Sequence, residues 1–427
     1  MKYRHVFSSF LLLAVFLALA PAAMASNTWY VDGVNGNDNN NCKSPQTACK
    51  TIGHAISLAA SGDFIMVAAA TYTENLTIPF SLRVIGADAS TTIIDGGGVN
   101  TVVTISSSGA QVTLSQVTIR NGNAYAHGGG VLNEGALMIS KSTITGNNAG
   151  NTSVFGSGGG ILNTDTGTLI INNSTISDNT SSAAGGGIAS GGPLIIINSS
   201  VTGNNTLGYG GGIASGGPTT IKNSTIAGNT VYDAGCRKYC IAWGGGINSS
   251  GTNPAYTTLS IANTTISGNS SIDGGGIWMI GTTLSMGSST ISGNGAKAGS
   301  GFYLNPYWGG SATLQNSIVD NPGGNFQGTG TVISDGYNLC SDNTCNFNST
   351  GDMNNTDPKL GKLGNYGGPT QTIPLLSGSP AIDAGNPAGC TDGNGHLLKT
   401  DQRGKPRPDK EDNGIGCDMG AFERQTD

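Results

Sequence analysis

The sequence predicts an all-β fold, a right-handed parallel β-helix solenoid, on three observations: recurrent glycine runs, apolar pairs at a fixed spacing, and a composition that opposes helix. Glycine supplies 70 of 427 residues, far above the roughly 7% of average usage, but without the every-third-residue period of collagen. The runs are each followed by an apolar residue. They are Gly128–Gly130 before Val131, Gly158–Gly160 before Ile161, Gly185–Gly187 before Ile188 and Gly210–Gly212 before Ile213. Gly244–Gly246 before Ile247, Gly274–Gly276 before Ile277 and a degraded Gly299-Ser300-Gly301 before Phe302 continue the series. Successive runs lie 25 to 34 residues apart, within the period range of solenoids.

Between the runs, an apolar residue is followed five positions later by another. The pairs are Leu114/Ile119, Ile139/Ile144, Ile171/Ile176, Ile196/Val201, Ile221/Ile226, Ile261/Ile266, Met286/Ile291 and Leu314/Val319. Alternation such as Leu169/Ile171 points side chains to one face of a strand, and the odd step of five implies a bend between two strands. An asparagine follows two or three residues later (Asn121, Asn147, Asn179, Asn204, Asn229, Asn269, Asn294, Asn321). Asparagine tolerates left-handed backbone and bonds nearby main chain. Stacked about 4.8 Å apart, successive coils would align isoleucines inside and asparagines at a turn. One coil cannot bury its apolar face alone, so neighbour contacts carry the stability. A helical solenoid is the competing reading, and so much Gly, Thr, Ser and Asn opposes it.

Taken in chain order, residues 1–25 read as a secretory signal peptide. Lys2, Arg4 and His5 form the basic start, Phe10 to Ala20 the apolar run, and Ala23-Met24-Ala25 the cleavage site. The expectation is a secreted, extracellular or cell-surface protein. The apolar run is short for a membrane span and none follows it, so the mature chain is expected not to span a membrane. Residues 26–100 would form the N-terminal cap and first coils. Thr51–Ala60 carries apolar residues at helical spacing, suited to capping an open stack whose strand edges would otherwise be exposed. Residues 101–330 are the repeats, and 331–427, richer in charge and proline, form a less regular C-terminal module.

Removing Lys2 and Arg4 leaves 17 basic against 25 acidic residues, a formal charge of −8, which argues against nucleic acid as a partner. All eight cysteines lie in the exported part, where disulfides form. Sequence does not fix their connectivity. Local pairing is the simplest arrangement, Cys42–Cys49, Cys236–Cys240, Cys340–Cys345 and Cys390–Cys417, with free buried thiols as the alternative.

Three segments resemble known families. Trp29-Tyr30-Val31-Asp32, Cys49-Lys50-Thr51-Ile52 and Ser61-Gly62-Asp63 look like the opening of exported pectate-lyase-like β-helix proteins. The GGGI and STISGN repeats resemble passenger repeats of polymorphic outer membrane proteins. The C-terminal blocks begin with Asp357-Pro358-Lys359-Leu360, Gly367-Gly368-Pro369-Thr370, Ser379 to Gly385 and Asp401-Gln402-Arg403-Gly404. With Arg407-Pro408 and Cys417 to Glu423 they resemble the choice-of-anchor Q module of bacterial surface β-helix proteins. The resemblance implies fold and export; it implies no settled reaction. A sorting tail often follows that module, and here the chain stops at Gln425-Thr426-Asp427, which favours release or attachment through a partner.

An enzyme of this fold needs an acid, a base or a metal. Residues 101–330 hold only twelve Asp, Glu, Lys and Arg, with no carboxylate cluster of the kind a glycoside hydrolase uses, so no catalytic residue is assigned. Asp178, at a position usually held by glycine, and Lys222 read as surface decoration. Asp32, Asn35, Asn37 and Asp38 offer oxygens for calcium, though not at EF-hand spacing, and a plain turn is the competing reading; no metal ligand or cofactor is assigned. The loops ahead of the glycine runs vary in length, as on the binding face of a solenoid. They carry Tyr125, Phe155, Tyr209, Tyr232, Tyr239 and Trp243, which in-register stacking would bring to one edge. Exposed rings stack on sugar faces; the bland alternative is rings that pack down on their own loops. The leading expectation is an adhesin-like or carbohydrate-binding protein whose partner is an extracellular polysaccharide or a cell-surface component. A polysaccharide lyase or glycoside hydrolase, and a purely structural surface spacer, are the alternatives.

Overall fold

Apolar residues five apart fall in two different sheets because one residue between them turns the chain. In each repeat a bend residue adopts left-handed backbone: Gln116, Lys141, Asn173, Asn198, Asn223, Asn263, Ser288 and Asn316 have φ between 47° and 57°. The computed structural model describes residues 26–151, 154–232, 242–251, 257–305, 307, 310–409 and 416–425. The expected signal peptide, together with Cys236, Tyr239 and Cys240, lies outside the described residues.

The chain winds as a right-handed parallel β-helix whose strands form 12-, 11-, 10- and five-stranded sheets. In the 12-stranded sheet one inward column runs Trp29, Ile65, Val84, Leu114, Ile139, Ile171, Ile196, Ile221, Ile261, Met286 and Leu314. The 11-stranded sheet carries the second member of each pair, from Ile119 and Ile144 through Ile226 to Val319. The apolar residues behind the glycine runs, Val131 to Phe302, form the column of the 10-stranded sheet. These columns are fully buried from Leu114 onward and merge into one continuous hydrophobic core.

Two polar ladders fasten the corners. Asn147, Asn179, Asn204, Asn229, Asn269, Asn294 and Asn321 each accept or donate amide-to-amide across successive coils, at 2.8–3.0 Å. Asn121 stands outside this ladder. It takes the left-handed position held elsewhere by glycine and bonds Asp95, while the amide of Gly122 reaches Asn147. Asp178 occupies the same left-handed position, with φ 55°. The second ladder, Ser142, Ser174, Ser199 and Ser224, receives the main-chain N–H of the coil before it.

The N-terminal end is closed by the helix Ile52–Leu58, capped by the Thr51 hydroxyl. Glu74 accepts the N–H groups of Ile52 and Gly53 at 2.9 and 2.7 Å, placing negative charge on the helix N-terminus. Ile52, Ala55 and Ile56 face the core, and Cys42–Cys49 closes the preceding loop. The strands Thr331–Ser334 and Leu339–Cys340 extend two of the sheets; Cys345, bonded to Cys340, and Phe347 join the core at that end.

From about residue 356 the chain returns as an irregular strap along the corner between the 12- and 11-stranded sheets. Lys222 is no surface decoration: its ammonium pairs with Asp392 of the strap at 3.2 Å, because its outward column is the one the strap covers. Gln402 bonds Thr225 and Thr265, Asn263 donates to the Thr400 carbonyl, and Arg407 donates to Asn263. Ile318, Leu339, Leu375, Ala381 and Met419 make a second apolar cluster beneath it, and Cys390–Cys417 ties the strap internally. Its centre is a buried ion pair, Arg407 to Glu423 at 2.7 Å, beside Arg403 and Asp401. Among the described residues no helix is long and apolar enough to cross a membrane.

Candidate functional site

Strand alternation in the 10-stranded sheet aims one column outward at each coil. In the repeats that column holds Leu132, Leu162, Ala189 and Ala214, then changes to Asn248, Trp278 and Tyr303. Just ahead of the glycine runs a second column runs Ser157, Ala184, Tyr209, Trp243, Asp273 and Ala298. Where the two columns carry aromatics together, they wall a slot of about 590 Å³ lined by Tyr209, Trp243, Asn248, Ser250, Trp278, Ile280, Asn305 and Tyr307.

Trp243 and Trp278 come from successive coils and lie parallel, with centroids 4.5 Å apart and planes within 4°. Trp278 is buried beneath, Trp243 is half-buried, and Tyr209 and Tyr307 are exposed at the rim. Asn305 holds the Tyr307 turn by accepting its N–H at 3.0 Å. Asn248 lies between these walls and is 1% exposed, yet neither Nδ2 nor Oδ1 has a partner. Among the described lining residues none is acidic, basic or histidine.

Of the six loop aromatics, then, Tyr209 and Trp243 meet in one slot. Tyr125, Phe155 and Tyr232 are exposed and do not line it. Trp278 and Tyr307 were missed by reading loops alone. Aligning the repeats at the position after the apolar residue that follows each glycine run would have found Trp278, since that position is Leu, Ala or Asn in the earlier repeats and aromatic again only at Tyr303. Tyr307 has no such signal, because its turn lies beyond the strand where the repeat spacing breaks down.

The nearest carboxyl in the second column is Asp273, the neighbour of Trp243 on the following coil. Burial raises its pKa, partly offset by Lys297. At the N-terminal loop, Asp32 accepts from the amides of Asn35 and Val34, which hold its carboxyl below the usual range. Asp38 accepts from the N–H groups of Lys50 and Thr51 and the Thr51 hydroxyl, and Asn37 accepts from Asn39. The loop proposed for calcium therefore uses its two carboxylates as turn and cap acceptors on different segments.

No family model matches the sequence, and no curated protein does. Among solved structures, the chain is similar to pectate lyase Pel9A, with 15% identity and TM-score 0.53 over 94% of this chain and 98% of that one. It is also similar to XylC in its complex with xylose, with 10% identity and TM-score 0.50 over 93% and 98%. Identities this low establish the shared parallel β-helix and leave the activity to be argued from the site.

Proposed function

We propose that the protein is an exported, surface-associated β-helix that binds extracellular polysaccharide in the aromatic slot, acting as an adhesin-like or matrix protein without cleaving its ligand. The observation that carries this is the parallel Trp243–Trp278 pair walling a cavity with Tyr209 and Tyr307 at its rim. Pyranose rings present apolar C–H faces that pack on aromatic rings, while edge hydroxyls bond amides and hydroxyls. Asn248, Ser250 and Asn305 supply such partners. The signal-type residues 1–25 support export, and structural neighbours that include a pectate lyase and a xylose complex support a carbohydrate ligand. On a glycan array, the Tyr209→Ala/Trp243→Ala double variant should lose the signal of the unaltered protein. An unchanged signal would place binding elsewhere.

A second reading, a polysaccharide lyase or glycoside hydrolase, is favoured by Asp273, whose raised pKa suits a proton donor or acceptor. It predicts unsaturated or reducing-end products that disappear in Asp273→Asn. The absence of product across a broad polysaccharide panel removes it.

A further inference from the structure

The polar floor of the slot narrows what it takes, on the reading that the slot is a carbohydrate site. Asn248 projects outward from the strand Ile247–Ser250 between Ala214 and Trp278 of the adjoining coils. Its side chain is buried at the floor of the slot, and its amide is bonded to nothing. The ladder asparagines show the contrast: Asn204 donates to Ile176, Thr202 and Asn229 and accepts from Asn179. An unmade hydrogen bond at a buried amide is destabilising, and buried polar groups in native proteins are otherwise satisfied. Neither flanking side chain satisfies it: alanine has no polar atom, and although the Trp278 indole N–H is a donor, Oδ1 of Asn248 accepts from nothing.

We propose that the slot selects uncharged pyranoses presenting a hydrogen-bond donor and acceptor on neighbouring atoms, a vicinal diol or an acetamido group, and rejects uronates. A carboxamide sets one acceptor beside one two-proton donor. Two adjacent hydroxyls match it, one donating to Oδ1 and the other accepting from Nδ2; so do the N–H and C=O of an acetamido group. A 1,4-linked uronate keeps a vicinal diol, so its rejection rests on its carboxylate, which only accepts. It would satisfy Nδ2 and set negative charge against the lone pairs of Oδ1. No described lining residue carries a positive charge to offset it, and the stacked indoles make the surroundings apolar, where an unpaired charge is most costly.

The test is calorimetric titration of the full secreted protein with cellohexaose, xylohexaose, chitohexaose and hexagalacturonate. Binding by one of the first three at least tenfold tighter than by hexagalacturonate is expected, and chitohexaose separates the acetamido from the diol source. Asn248→Leu, close to isosteric, should weaken that binding at least tenfold while leaving Tm unchanged or raised, because it removes an unsatisfied group. A purely structural asparagine would instead lose Tm. Hexagalacturonate binding as tightly as the neutral sugars, or full affinity in Asn248→Leu, overturns this inference and leaves carbohydrate binding standing. Failure of all four sugars to bind sinks the carbohydrate reading and this inference with it.

Discussion

Asn204 makes its bonds through a single amide, so each ladder residue is a joint between three coils. Truncating it takes the acceptor from the Asn179 main-chain N–H and removes the Nδ2 bonds to the Ile176 carbonyl and Asn229, whose Oδ1 keeps only the Asn204 main-chain N–H. At roughly 1–3 kcal/mol for a buried group left unsatisfied, Asn204→Ala should lower unfolding stability in denaturant titrations by at least that amount. Asn205→Ala, whose side-chain bond is a long, half-buried one to Gly203, should cost well under 1 kcal/mol. The strap contains the residues most sensitive to pH. Burial, with repulsion from Asp418, lifts Glu423 to about 7 against the pull of Arg407. Burial lifts Asp418 to about 6. Both lie above the unfolded carboxylate range, so folding favours their protonated forms. Their contribution is present below pH 4 to 4.5 and lost as pH rises through 6 and 7. Asp38, Asp63 and Asp95 are shifted downward and are ionised in both states across that window. A lower Tm at pH 8 than at pH 5 is therefore expected, and Glu423→Gln should flatten the difference. The ladder asparagines were legible in the sequence because they recur; Glu423 and Asp418 were visible only as a motif, with no sign that they share one buried site.

Each glycine run combines two requirements at the level of the strand and its turn. The first glycine, such as Gly210 with φ 67°, turns the chain; the third lets two backbones touch. A Cβ on Gly212 would lie 2.7 Å from the carbonyl oxygen of Gly246 on the next coil, and that atom cannot yield without moving the coil. Gly295, by contrast, has open space and no left-handed φ. Gly212→Ala should cost about 1–3 kcal/mol, the usual penalty for overpacking, whereas Gly295→Ala should be neutral or slightly stabilising. Thermal melts of the two variants side by side check this. The strand order was readable because the inward side of every strand is forced to repeat, and the helix cap because its buried residues Ile52, Ala55 and Ile56 fall at helical spacing. Outward residues obey no such constraint. Trp278 is one such outward residue, and it is the stacking of successive coils that brings it against Trp243.

Across the whole molecule the two halves are held differently. The coils from 123 to 206 rely on neighbour contacts, whereas those from 222 to 320 are also gripped by the strap through Lys222, Asn263, Thr265, Thr290 and Asn316. Arg407→Met should break this grip, because it removes the partner of buried Glu423 and the bond to Asn263. Amide exchange in strands 258–320 should then quicken while strands 131–202 keep their protection; equal loss in both halves would show that the strap steadies the entire stack. The strap's course was hidden from the sequence because it lacks a period and each bond reaches a strand far back along the chain. Gln402 meets a residue 177 positions earlier, Arg407 one 144 earlier and Ala421 one 131 earlier. Synthesis order thus becomes assembly order: rungs can wind one upon another as the chain is made, and the late segment latches over work already finished. The lifetime of the gripped half against unfolding should accordingly be governed by how fast that latch lets go, and far less by the melting of any individual rung.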